Sequence, residues 1–323
     1  MWRPAPDTYI AGDTPATSHA LLKNMPDSVE LRGIHKTYDR FVAVDHLSFN
    51  IREGSVYGLL GPNGAGKTTS IRMMIGINIP DEGEVWLFGE KFHREQLQRV
   101  GYLPEERGLY KKMKVLDHLI LLGRLHGMST ARAKQVSLDW CERLQLSEWT
   151  QKKVEELSKG MQQKIQFIAA LLHDPDLLIL DEPFSGLDPA NAVMLKDVMI
   201  ELRKEGKTIL FSTHRMDQVE RLCDSICLID HGRSVLEGEL KKIKASYGKN
   251  TVQMQYEGHP PLEGCDLIQS FNNYGNYVEV RLKPGADSQD LLRLCAQHAR
   301  ISRFELVEPS LEEIFIDVVG QNA

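Results

Sequence analysis

Nowhere does this chain of 323 residues come near the roughly 20 consecutive apolar residues that a membrane-spanning helix needs. Its first residues carry no hydrophobic core of the secretory kind, so export of the chain itself is not expected. Cysteine is scarce. Cys141, Cys223, Cys227, Cys265 and Cys295 are scattered without a C-x-x-C pair, which excludes a disulfide scaffold. Asp224 and Ser225, between the two closest cysteines, read as a helix end and a strand start, so metal binding there is not expected. Buried, reduced thiols fit a cytosolic protein better. Positive charge is outweighed, with 39 Lys and Arg against 45 Asp and Glu and a net charge of −6, which speaks against coating nucleic acid. The apolar share, 42%, is ordinary and ample for a core. The length exceeds one average domain, so a large and a small domain are expected.

What the sequence does have is GPNGAGKTT, residues Gly61, Pro62, Asn63, Gly64, Ala65, Gly66, Lys67, Thr68 and Thr69. An apolar run, Val56 to Leu60, precedes it, and Ser70 to Ile75 follow, which reads as buried strand, glycine loop, helix. Gly61, Gly64 and Gly66 permit backbone angles closed to other residues, so successive N–H groups can turn inward around phosphates. The helix that follows adds its positive end. Lys67 can neutralise the outer phosphates, and the Thr68 hydroxyl can bind a magnesium ion.

Taken in order, residues 1–27 carry Pro4, Pro6, Pro15 and Pro26 without periodicity and read as a flexible tail. Val29–Ile34, Ala43–Val44 and Leu47–Ile51 alternate as short antiparallel strands do. Tyr38 there fits either plain packing or stacking on an adenine base. Glu84–Gly89 and Val100–Leu103 read as further strands. From about Val115 to Glu156 the spacing turns helical, broken at Gly127 and Ser129, as an insert in an α/β core. Ser158 is a candidate N-cap for a helix whose buried stripe is Ile165, Ile168, Ala169 and Leu172. Leu177–Leu180 is continuously apolar, as a central parallel strand should be, and ends in Asp181-Glu182-Pro183. Asp188 and Pro189 open a helix to Glu205. Thr208–Thr213 is another buried strand, with His214 at its end, and a hairpin turns at His231-Gly232. Lys241, Lys242 and Lys244 suggest a solvated linker helix. Beyond it, residues 241–323 read as a small α+β unit, its last helix opened by the capping box Ser310-Leu311-Glu312-Glu313.

Two adjacent acids after four aliphatics are the sharpest chemical signal after the glycine loop. Where a strand ends and the chain turns, both can face a nucleotide. Asp181 is then expected to hold magnesium through water, and Glu182 to orient or deprotonate an attacking water. His214, at the carboxyl edge of the sheet where open α/β folds bind ligands, is expected to reach the γ-phosphate or a bridging water.

The ordered set GPNGAGKTT, LSKGMQQK, LLILDEP, SGLD and STH, over residues from about 29 to 238, resembles the nucleotide-binding subunit of an ATP-binding cassette (ABC) transporter. The resemblance implies an α/β P-loop NTPase core of the ABC ATPase type: a mixed sheet, an antiparallel β subdomain and a helical insert at about 105–165. Residues 28–240 would form it, with 241–323 as accessory domain. It implies ATP and Mg2+ as ligands, Tyr38 as the adenine-stacking aromatic, Asp181 as the magnesium aspartate, Glu182 as the catalytic glutamate and His214 as the switch histidine. Ser158 and Gly160 match the signature that meets the γ-phosphate held by a second copy, and Asp188 the loop that communicates across that dimer. Two departures stand out. Lys159 and Met161 replace the usual glycine and glutamine of LSGGQ, and Glu105 stands where glutamine follows Leu-Pro.

These, with GYLPEERGLY and the ending SLEEIFIDVV, resemble a bacterial exporter branch that includes sodium-extrusion ATPases. Its members work at the inner face of the membrane through a separate permease and carry a small C-terminal domain. A soluble ABC ATPase of DNA repair, translation or regulation is the alternative. Such proteins usually fuse two cassettes or carry a long coiled coil, and this chain has neither. A small-molecule kinase on the same loop would need neither LSKGMQQK nor SGLD.

Overall fold

Three sheets, two of them antiparallel, set the architecture of the chain in a computed structural model that describes residues 27–106, 108–247 and 251–320. The expected N-terminal tail lies outside the described residues up to Asp27. Strand β1 (Asp27–Tyr38) pairs antiparallel with β2 (Phe41–Arg52), and β3 (Val56–Leu60) runs into the glycine loop and helix α1 (Lys67–Met74). Strands β4 (Glu82–Leu87) and β5 (Glu90–Lys91) complete the first sheet in the order β2-β1-β4-β5.

After β6 (Val100–Leu103) come the insert helices α2 (Val115–Leu125) and α3 (Thr130–Arg143), then α4 (Lys159–Leu171). There follow β7 (Leu177–Asp181), α5 (Pro189–Lys204), β8 (Thr208–Thr213), α6 (Met216–Leu222), β9 (Ser225–Asp230) and β10 (Arg233–Glu239). The central sheet runs β10-β9-β3-β8-β7-β6, parallel from β9 to β6, with β10 turned back along its edge. Every residue of β3, β7 and β8 is buried, because helices cover one face and the antiparallel sheet covers the other. Alternation sorts the side chains. Leu178 and Leu180 join the core beneath α4 and α5, while Leu177 and Ile179 join Tyr57, Leu59 and Ile71 under the antiparallel sheet.

Helix α4 differs from its expected amphipathic form. Ala169 is only half-buried, whereas Gln163, Lys164, Gln166 and Phe167 are enclosed along with Ile165 and Ile168. The helix is wedged between the insert and the sheet, so its polar side chains find backbone partners: Lys164 Nζ donates to Leu144 O at 3.0 Å and Gln163 Nε2 to Pro183 O at 3.1 Å.

Helix α7 (Leu240–Ser246) carries the lysines expected to be solvated, yet Lys244 lies against Glu220 at 3.2 Å with little exposure. Beyond it, β11 (Thr251–Gly258), β12 (Ile268–Asn273), β13 (Val278–Leu282), helix α8 (Ser288–Ala296) and β14 (Ala299–Val307) build the third sheet, ordered β12-β13-β11-β14, over a core of Val252, Met254, Val280, Leu291 and Cys295. Helix α9 (Leu311–Gly320) leaves that core, and Leu311 and Ile314 pack into the main one. The capping box forms: Glu313 N–H donates to Ser310 Oγ at 3.2 Å and Ser310 N–H to Glu313 Oε2 at 3.3 Å.

His118 on α2 is fully buried, with neither ring nitrogen hydrogen-bonded, and burial pushes it down to about 4. An unfolded chain, titrating near 6.5, takes up the proton first on acidification. The stability that neutral His118 permits is therefore present above about pH 6.5 and lost as pH falls towards 4. His118→Leu should remove about 2 kcal/mol of the stability lost between about pH 7 and about pH 5, read from urea midpoints at the two pH values.

Candidate functional site

At the carboxyl ends of β3, β7 and β8 the expected residues of the glycine loop and the acid pair meet. Gly61, Gly64 and Gly66 have φ of 149, 82 and 107°. A Cβ on Gly61 would lie 2.2 Å from Ile229 O, and one on Gly66 2.4 Å from Ala43 O, so neighbouring strands enforce glycine twice over. No side chain caps α1, which leaves the amides at its start turned to the loop's interior. Lys67 is buried, and its Nζ donates to Gly61 O at 2.8 Å and Pro62 O at 3.0 Å. Burial lowers its pKa, and the nearby charges of Glu182, Asp181 and Glu105 work against that fall. The amine thus sits desolvated among carbonyls, facing acids, where an oxyanion would be welcome.

Asp181 closes β7 almost fully buried. Its Oδ1 accepts a short hydrogen bond from the Ser212 hydroxyl across the β7–β8 register, and its Oδ2 is buried with no hydrogen-bond partner. Glu182 follows at φ 50°, a left-handed conformation that a side-chain-bearing residue adopts at a cost of about 1–3 kcal/mol. That turn takes it out of strand alternation, so its carboxylate reaches the end of β8. There Oε1 accepts the His214 backbone N–H at 3.1 Å and lies 2.8 Å from His214 Nδ1. His214, the residue expected to reach the γ-phosphate or a bridging water, thus stands against Glu182. Ser212, which steadies both Asp181 and the Glu182 amide (3.2 Å), carried no motif of its own. Its place in the last turn of a buried strand beside Asp181 was the available signal.

Tyr38 ends β1 as a residue 44% exposed, and its hydroxyl accepts from Asn78 Nδ2 at 2.7 Å. A face remains for stacking, with Lys36 Nζ 5.6 Å from the ring centroid. Glu105 is exposed in the loop after β6. Ser158, also exposed, caps α4 through the Met161 amide at 3.2 Å. Gly160 has just enough room beside Gly186 O and Leu187 that this turn rests on the loop leading to Asp188. Asp188 caps α5 through the Asn191 amide at 3.0 Å, and those donors hold its carboxyl below the usual range. Among the described residues, no hydrogen bond joins Ser158, Gly160 or Asp188 to the glycine loop of the same chain.

Comparison with known proteins places this geometry. A family model described as ABC transporter matches residues 44–185, and one described as ATP-binding protein DrrA1-3-like, C-terminal domain, matches residues 238–319. An uncharacterized ABC transporter ATP-binding protein of Bacillus subtilis is 45% identical over 288 residues, 89% of this chain and 97% of the relative. The Nod factor export ATP-binding protein I of a Rhizobium species is 34% identical over 302 residues, 91% of this chain and 97% of the relative. A solved structure of the ATP binding subunit of an ABC transporter superposes with a TM-score of 0.63 at 31% identity, covering 68% of this chain and 93% of that one.

The glycine constraint is testable without chemistry. Gly61→Ala should lower the melting temperature by several degrees and abolish nucleotide binding, because its methyl must displace Ile229 O. Calorimetric scanning and a fluorescent-nucleotide titration would measure both, and an unchanged variant would show that the loop tolerates a side chain there.

Proposed function

The chain belongs to the ABC transporter ATP-binding family and binds and hydrolyses ATP; from that premise we propose that two copies close head-to-tail on two ATP molecules to drive an exporter. The observation that carries this reading is the divided site. Each chain holds one anion-ready glycine loop and, unconnected to it by any hydrogen bond among the described residues, a second exposed turn at Ser158–Gly160. A two-fold dimer joins one copy's loop to the other's turn, and Asp188 lies beside that junction.

In this reading Tyr38 stacks the adenine, the amides of Gly61–Thr69 cradle the phosphates, and Lys67 exchanges its loop carbonyls for phosphate oxygens. The donors fit magnesium, a hard cation that takes oxygen ligands: the Thr68 hydroxyl, and the buried, unpartnered Oδ2 of Asp181 acting through water, with Glu105 as a further oxygen. When bound, magnesium neutralises charge on the β- and γ-phosphate oxygens. Glu182 orients the attacking water and takes its proton as the water oxygen bonds to the γ-phosphorus. The bond to the bridging oxygen then breaks, leaving ADP and phosphate. His214, seated on Glu182 Oε1, fixes the carboxylate's direction and is positioned to sense the γ-phosphate.

Loss of that phosphate loosens the dimer, and α2 and α3 hand the motion to a separate membrane permease. No helix among the described residues is long and apolar enough to cross a membrane; in this reading the permease holds the chain at the inner face of the membrane. The relative named for Nod factor export supports outward transport. Residues 28–240 form the ATPase unit and 241–323 an accessory domain, in keeping with the separate match at 238–319.

Glu182→Gln should cut ATP turnover by at least about 10²-fold while retaining ATP binding, and should trap a dimer. Phosphate release and sedimentation mass in Mg-ATP would be measured together. Turnover near the parent rate removes Glu182 as the base, and a monomer at saturating ATP removes the divided-site reading.

A further inference from the structure

We propose that His35, Asp45 and His46 form a binding site for one divalent transition-metal ion of the zinc type, separate from the proposed magnesium position. The site exists because the β1–β2 pairing is irregular. Between Ile34 and Lys36, β1 advances two residues while β2, from Leu47 to Val44, advances three. The extra residue bulges, and His46 takes φ 50°, so Asp45 and His46 do not point to opposite faces as neighbours in a regular strand must. Both turn towards His35 on the facing strand. The ligand atoms of the three side chains lie within 4.8 Å of one another, and the two imidazole centroids are 4.8 Å apart.

Polar neighbours on the outer side leave one nitrogen of each imidazole facing inward. His46 Nε2 lies 3.4 Å from Glu82 Oε2, and His35 Nε2 3.0 Å from Thr37 Oγ1. An imidazole whose outer N–H is held by an oxygen keeps a lone pair on the other nitrogen, the arrangement in which histidines bind metals. In both residues that nitrogen is Nδ1, and both face the same carboxylate oxygen: Asp45 Oδ1 is 2.8 Å from His46 Nδ1 and 3.3 Å from His35 Nδ1. His35 Nδ1 is buried and out of hydrogen-bond alignment, so it has no hydrogen-bond partner. Two lone pairs turned on a carboxylate oxygen repel unless a positive centre lies between them. A proton on His46 Nδ1 serves that pair alone, at 2.8 Å, whereas one cation in its place would serve all three atoms at once. Arg233 contacts Asp45 through Oδ2 alone, at 2.6 Å, leaving Oδ1 to the imidazoles. Two imidazoles with one carboxylate suit zinc and its neighbours rather than magnesium or calcium, and three protein ligands leave a position for water. An open depression lined by Asp45, His46, Ser48, Arg233 and Ser234 admits the ion from solvent.

The ion would act on the nucleotide site through the backbone. Asp45 N–H donates to Gly232 O at 2.9 Å, and Gly232 N–H donates to Ala65 O in the glycine loop at 3.0 Å. Fixing Asp45 to His35 fastens the bulged strand, Tyr38's hairpin and the loop into one unit.

The test uses the full chain, stripped with chelator and free of nucleotide, titrated with Zn2+ or Co2+ in excess Mg2+. One equivalent should bind in the parent, raise the melting temperature, and vanish in His35→Gln and in His46→Gln. Glu82→Gln should weaken it by about 10–100-fold. Should the glutamine variants fold poorly, X-ray absorption on the zinc-loaded parent decides: nitrogen and oxygen neighbours alone support the site, and a sulfur neighbour overturns it. Absence of a tight equivalent in the parent, or its persistence unchanged in both histidine variants, also overturns it. Failure here leaves the ATPase reading untouched, because no residue of the proposed catalysis is altered.

Discussion

Parallel register across three strands is the constraint on which the rest depends. Leu60 of β3 pairs with Thr213 of β8, and Ser212 of β8 pairs with Asp181 of β7, so three strands stop at one level. An anion-binding loop leaves the first, two acids leave the third, and a histidine leaves the one between. This puts carboxylates beside the place prepared for phosphates, which is electrostatically unfavourable unless cations intervene. Lys67 is one such cation, already desolvated and already within the field of Glu182, Asp181 and Glu105. The unpartnered Oδ2 of Asp181 asks for another. A slip of one residue in β7 would turn Asp181 to the opposite face and dissolve the arrangement.

Much of this was legible because it rests on local rules. Val56–Leu60, Leu177–Leu180 and Thr208–Thr213 are apolar without alternation, the mark of strands covered on both faces. The glycine loop, the Ser158 and Asp188 caps and the Ser310–Glu313 box depend on residues near one another in sequence, and each forms. What escaped was set by packing between distant segments. The enclosure of α4 on nearly all sides follows from the insert folding over it, which no period within Lys159–Leu171 encodes. The grip of His214 on Glu182 depends on a left-handed backbone angle at a glutamate, a conformation its residue type disfavours. The bulge at Asp45–His46 likewise breaks the alternation from which the strand was read.

Among the described residues, left-handed angles at side-chain-bearing residues fall at turns such as Asp39, Gln145 and His231, and also at two positions where chemistry is proposed. Glu182 and His46 both carry side chains through left-handed angles, and both are held there by neighbours rather than by preference. At Glu182 the restraint is the end of β8: the Ser212 carbonyl and hydroxyl accept its N–H, and the His214 N–H donates to its carboxylate. A carboxylate held from two sides in this way has a fixed direction, which suits the role of base proposed for it.

One acid ties two parts of the C-terminal segment to the ATPase unit. Glu220, on the helix that follows His214, accepts the first amide of α9 at 2.6 Å and pairs with Lys244 of α7 at 3.2 Å. The helix that starts next to the histidine therefore carries the anchor for both the linker and the last helix. α6 and α9 also share one core, since Leu311 and Ile314 belong to the same buried cluster as Val219 and Leu222. A backbone amide on a charged oxygen is a stronger and more directional tie than apolar packing alone. The path from the end of β8 to α9 is thus short: His214, five residues of α6 from Met216 to Glu220, and the Leu311 amide.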